Sequence, residues 1–136
     1  MANRFTKTFT ARPEHIDEMG HVNNAVWVNW MEEIATAHWM RDADPEHVAA
    51  FAWVVTRHEI DYRGNVREGD SVEAVTEIRE GPTGARFDRY FTFSDARGKP
   101  IVRAKTTWAM VDKETGRVMR VPKEVSGVFL EDAEES

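Results

Sequence analysis

His15-Ile16-Asp17-Glu18-Met19-Gly20-His21-Val22-Asn23-Asn24 runs without a break into Ala25-Val26-Trp27-Val28-Asn29-Trp30-Met31. The first ten residues hold two carboxylates, two imidazoles, a glycine and two amides suited to capping a helix. The next seven are almost entirely apolar. No glycine or proline follows until Pro45, so the spacing predicts a helix from about Asn24 to Arg41, with Asn23 or Asn24 as its N-cap. Ala25, Val26, Trp27, Val28, Trp30 and Met31, continued by Ile34, Ala35, Ala37, Trp39 and Met40, occupy most of the circumference. A helix that is apolar nearly all round must be covered by other structure.

Upstream, Phe5, Lys7, Phe9 and Ala11 alternate with Thr6, Thr8 and Thr10, which predicts a strand ended by Pro13. Downstream, Asp44-Pro45-Glu46 caps a short helical turn through about Ala50. Strands are then expected from Ala52 to Tyr62, Ser71 to Arg79, Ala85 to Ser94 and Ile101 to Val111. They are separated by Gly64-Asn65, Gly69-Asp70, Gly81-Pro82-Thr83-Gly84 and Asp95-Ala96-Arg97-Gly98. In the third, Val72, Ala74 and Ile78 share one side, and in the fourth Phe87, Phe91 and Phe93 do. Pro122 starts a last helix to about Leu130, before an acidic tail. One helix segregated from strands joined by short turns is the pattern of an α+β domain with a mostly antiparallel sheet curling around the helix.

At 136 residues the chain suffices for one domain over 1–136 and is short for two. Hydrophobic residues at 41% and charged residues at 31% are those of a soluble globular protein, and a net charge of −6 argues against a nucleic-acid partner. With no cysteine, disulfides, cysteine zinc sites and thiol catalysis are excluded. No stretch approaches the roughly 20 apolar residues of a membrane span, and a cytoplasmic location is expected.

Asp17-x-x-Gly20-His21-Val22-Asn23-Asn24, followed by Trp27 and Glu32-Glu33, resembles the hotdog-fold acyl-CoA thioesterases of the 4-hydroxybenzoyl-CoA thioesterase type. Ile60-Asp61-Tyr62 leading to Gly69-Asp70-Ser71-Val72 resembles the same family's strand and turn after the helix, and the likeness spans roughly residues 5 to 130. The chain departs from the family pattern at His15, at Ile34-Ala35 and at Arg63-Gly64-Asn65-Val66. The resemblance implies a hotdog fold and hydrolysis of an acyl-CoA to a free acid and CoA without a cofactor. It also implies a homodimer, often paired into a homotetramer, with the active site between subunits.

The residues themselves agree with that chemistry. A thiol is acidic enough, at a pKa of about 8.5, to leave without strong acid assistance. The protein must then supply a nucleophile or base and a donor for the developing oxyanion. Asp17 can attack the carbonyl or activate water, and the Asn24 backbone N–H at the helix N-terminus can donate. Gly20 allows a left-handed turn or close approach of substrate, and His21 is a further catalytic candidate. Arg57, Arg63 and Arg67, with Arg103 and Lys105, are candidates for the CoA phosphates. Each group has a plainer reading: Asp17 as a loop brace, Asn23 and Asn24 as caps, His21 as a loop histidine, the arginines as solvated strand faces. His15, Asp17 and His21 have no second ligand pair elsewhere in the sequence, and no metal site is expected. Two rival readings are a hotdog enoyl-thioester hydratase or dehydratase using His15 or His21, and a hotdog domain that binds acyl-CoA without turning it over.

Overall fold

Asn23 sets the start of the long helix. Its side-chain oxygen accepts the Ala25 N–H at 2.9 Å, and the helix, α1 (Asn24–Asp42), runs uninterrupted until Ala43 turns extended ahead of Asp44-Pro45. In the computed structural model, which describes residues 3–130, α1 lies between β1 (Arg4–Thr10) and a short helix, α2 (Pro45–Ala50). Four strands follow, β2 (Phe51–Tyr62), β3 (Ser71–Glu77), β4 (Arg86–Ser94) and β5 (Pro100–Asp112), and then α3 (Lys123–Leu130). Pro122 stands one residue ahead of α3, and the acidic tail lies outside the described residues. The strands make one antiparallel sheet in the order β1-β3-β4-β5-β2, so β1 and β2 are its edges. A curved antiparallel sheet with one long helix is the hotdog architecture expected from the sequence. No described helix is long and apolar enough to cross a membrane.

The sheet covers the side of α1 that carries Trp27, Trp30, Met31, Ile34, Ala35 and His38, all buried. Trp27 meets Phe93 edge-on at 5.2 Å, and Trp30 stacks on Phe9 at 5.1 Å; such pairs add about 0.5–1.5 kcal/mol beyond area burial. A second core cluster, with Phe87, Met110, Val125 and Phe129, fills the space between α3 and the sheet. The opposite flank of α1 is covered less completely than an all-round apolar helix would require. Val26, Val28 and Ala37 are half-buried, and Met40 is 59% exposed.

β2 is bulged. The register against β5 shifts between Val55 and Arg57, and the Thr56 hydroxyl donates to the Thr107 carbonyl at 3.2 Å. One extra residue reverses the alternation of faces beyond it. Trp53 and Val55 are partly buried before the bulge, and His58 and Ile60 after it. Trp27 is fully buried in the main cluster, so Trp27→Ala is expected to cost about 3–5 kcal/mol of stability, measured by urea denaturation.

Candidate active site

The loop that precedes α1 is a closed turn. Ile16 and Val22 form an antiparallel bridge, the Asp17 N–H donates to the His21 carbonyl at 2.8 Å, and the Gly20 N–H donates to the Asp17 carbonyl at 3.0 Å. Gly20 completes the turn at φ +79°, in the left-handed region that other residues enter only at a cost. The Asp17 side chain reinforces this geometry: Oδ1 accepts the Met19 N–H at 2.9 Å and the His21 N–H at 3.2 Å. Asp17 therefore does brace the loop, and it uses one oxygen for that. Oδ2 has no hydrogen-bond partner among the described residues.

The turn is fastened to the rest of the molecule through Val22, which is completely buried. Its N–H is shared between Asn65 Oδ1 at 3.1 Å and the Val66 carbonyl at 3.3 Å, and its carbonyl accepts Asn65 Nδ2 at 3.1 Å. Asn65 thus satisfies both halves of one backbone unit, as a paired strand would. The start of α1 follows directly. The Asn23 N–H donates to the His15 carbonyl at 2.9 Å, and Asn24 is the first helical residue. The Asn24 N–H has no acceptor among the described residues. The Tyr62 hydroxyl donates to the Asn24 carbonyl at 3.3 Å, and partial burial pushes that phenol above its ordinary pKa, which keeps the donor protonated.

The structure places the remaining candidates unequally. His15 is occupied structurally: Nδ1 accepts the Arg12 N–H at 2.9 Å, and its ring meets Trp30 edge-on at 5.3 Å. His21 is half-buried and contributes its main chain to the turn. Arg67 comes to the site, since a Cβ built on Gly20 would stand 3.1 Å from its Nη1. Arg57 and Arg63 are exposed and paired with Glu59 at 3.7 Å and Asp61 at 3.6 Å, and Lys105 is paired with Asp88 at 3.6 Å.

Farther along α1 is a polar group that the sequence reading missed. Arg89, in the middle of β4, is 8% exposed. Its Nη1 donates to His38 Nδ1 at 2.8 Å and to Thr76 Oγ1 at 3.1 Å. An arginine has only donors, so His38 Nδ1 accepts, and Nε2 carries the hydrogen toward Asp42 Oδ2 at 3.3 Å. Asp42 is itself paired with Arg41 at 2.6 Å. Arg89 lines a cavity of about 240 Å³ whose walls include Trp39, Trp53, Phe87, Trp108 and Phe129.

A family model for the thioesterase-like superfamily matches residues 11–129. The chain belongs to the thioesterase-like superfamily. A chloroplastic acyl-[acyl-carrier-protein] hydrolase of Cuphea viscosissima is 35% identical over 75 residues, 54% of this chain. The chain spans only 18% of that relative's length. Among solved structures, an acyl-ACP thioesterase from Bacteroides thetaiotaomicron superposes with a TM-score of 0.80 at 21% identity, over 96% of this chain and 54% of that one. A 1,4-dihydroxy-2-naphthoyl-CoA thioesterase from Synechocystis superposes with a TM-score of 0.78 at 16% identity, over 93% and 95% of the two chains. At these identities the superpositions establish that this superfamily member shares the fold of those enzymes.

Removing the Asn65 side chain would leave the buried Val22 carbonyl without its donor and the Val22 N–H with the Val66 carbonyl alone. Asn65→Ala is expected to cost about 1–3 kcal/mol and to speed hydrogen exchange at the Val22 and Val66 amides, read by NMR.

Proposed function

We propose that this superfamily member hydrolyses an acyl thioester, an acyl-CoA, to a free acid and CoA. The observation that carries this reading is a pair of unspent groups on one short segment. These are the Asp17 Oδ2, without a partner among the described residues, and the Asn24 N–H, without an acceptor at the N-terminus of α1. The first is a nucleophile or base, and the second a donor for negative charge developing on the thioester oxygen. Asp17 Oδ2 attacks the carbonyl carbon, or removes a proton from the water that does. The C–S electron pair leaves on sulfur, and the oxyanion is met by the Asn24 N–H. In the first route water then cleaves the transient anhydride.

The other residues support these two. Gly20 keeps the turn free of a side chain where substrate would approach, and the His21 N–H fixes Asp17 Oδ1 so that Oδ2 is the oxygen left over. Arg67 is the favoured contact for CoA phosphate because it already lies over the turn, with Arg63 and Arg57 as outer contacts. Glu32 and Glu33 are exposed on α1, which supports an aspartate-based arrangement of the 4-hydroxybenzoyl-CoA thioesterase type over one that uses a helix glutamate. The open edge of β2 and the half-covered flank of α1 support a homodimer, or a homotetramer made of two, that completes the site.

Thiol release from a panel of acyl-CoAs tests the mechanism. Asp17→Asn is expected to lose about 10²- to 10⁴-fold in rate, and an unchanged rate would sink the assignment. Asn24→Ala is expected to stay within a few-fold of wild type, because the donor there is main chain.

A further inference from the structure

The cavity beside the second half of α1 is separate from the Asp17 turn within one chain. At about 1.5 Å per helical residue, Trp39 on its wall stands roughly 20 Å along the axis from Asn24. Its lining is apolar and aromatic apart from a few polar groups, and the only ionisable ones among the described residues are Arg89 and Lys113. Both are cationic, in a chain that has 24 acidic and 18 basic residues.

Arg89 is the unusual member. A charge this deeply buried is ordinarily paired with an opposite charge, yet among the described residues the partners of Arg89 are the neutral Thr76 hydroxyl and a histidine nitrogen that must act as an acceptor. No carboxylate lies within ion-pair distance of it among the described residues. Both bonds use Nη1, so Nη2 and Nε have no acceptor among the described residues. Burial alone brings the guanidinium down to about 10, which leaves it charged at neutral pH. Trp108 lines the same wall, but its indole N–H, which has no acceptor among the described residues, is itself buried and not open to the cavity. At the mouth, Lys113 Nζ donates to the Val48 carbonyl at 2.9 Å, and no carboxylate is paired with it among the described residues.

We propose that this cavity binds an apolar molecule through a terminal carboxylate, with the carboxylate on the Arg89 guanidinium and the hydrocarbon or ring against Trp39, Trp53, Phe87 and Phe129. A guanidinium whose Nε–Nη2 edge has no acceptor among the described residues matches the two oxygens of a carboxylate, while Nη1 is spent on His38 and Thr76. The volume of about 240 Å³ exceeds the roughly 150 Å³ of an apolar cavity that takes up benzene. A ring or a medium-length chain therefore fits. The carboxylate has two possible sources with the same chemistry, a free carboxylic acid or the far end of a carboxyl-terminated acyl chain. The second rests on the thioesterase reading and the first does not.

Three tryptophans on the wall make intrinsic fluorescence a direct probe in the unmodified protein. Octanoate is expected to bind roughly 10- to 100-fold more tightly than octanol, and Arg89→Met to abolish that preference while leaving octanol binding in place. Arg89→Lys, which keeps a cation but removes the bidentate edge, is expected to reduce octanoate affinity several-fold, and it keeps the test open if the Arg89→Met variant fails to fold. Equal binding of octanoate and octanol to wild type, or an Arg89→Met protein that folds and keeps the preference, overturns the proposal. Thiol release from hexadecanedioyl-CoA and palmitoyl-CoA, whose chains are long enough to reach from the Asp17 turn to Arg89, then identifies the source. A preference for hexadecanedioyl-CoA in the wild type that Arg89→Met removes places the carboxylate on the substrate, and a ratio that Arg89→Met leaves unchanged, with octanoate bound by the wild type, places it on a free acid. Because binding is read without turnover, loss of hydrolysis and loss of this site give separate results.

Discussion

The whole molecule is arranged around one apolar helix whose surface exceeds what a single sheet face can cover. Burying Trp27, Trp30, Met31 and Ile34 against β1, β3 and β4 fixes which side of α1 is inside. That choice fixes where its two ends lie. At the N-terminal end the backbone donors of the first turn cannot be used by the helix itself, and the loop before it is tied down until one of them, at Asn24, is left over. At the other end, Trp39 and Met40 fall on the poorly covered flank, and the cavity opens there.

The geometry of the turn follows from short-range hydrogen bonding, which explains why it was readable. Asp17, Gly20 and Asn23 each act within four residues of themselves, as side-chain acceptor, left-handed corner and cap, and each such role has a residue preference visible without a fold. The first strand and the long helix were equally visible in the alternation of Phe5, Lys7 and Phe9 and in the absence of glycine and proline from residues 24 to 42.

What escaped the reading lies at long range. Asn65 looked like ordinary loop punctuation, because its partner, the Val22 peptide, is 43 residues away. Arg89 had a signal that went unused. Strict alternation puts position 89 on the same side as Phe87, Phe91 and Phe93, and an arginine among three phenylalanines calls for a buried acceptor. His38 was hidden for a similar reason, since on a helix that looks apolar all round a single imidazole does not announce which face it occupies. The arginines chosen for CoA were selected by neighbourhood along the chain, and the fold gave two of them, Arg57 and Arg63, carboxylate neighbours.

The bulge at Thr56 divides β2 into two segments of opposite phase. The first, with Phe51 and Trp53, packs against the cluster that holds α3 and the cavity; the second, with Ile60, packs against the cluster around the start of α1. A strict strand would oblige both clusters to be served by one alternating set of positions. With the phase reset, residues on either side of Thr56 become separable design variables. The two ends of the molecule can then diverge in sequence independently while remaining parts of one continuous sheet.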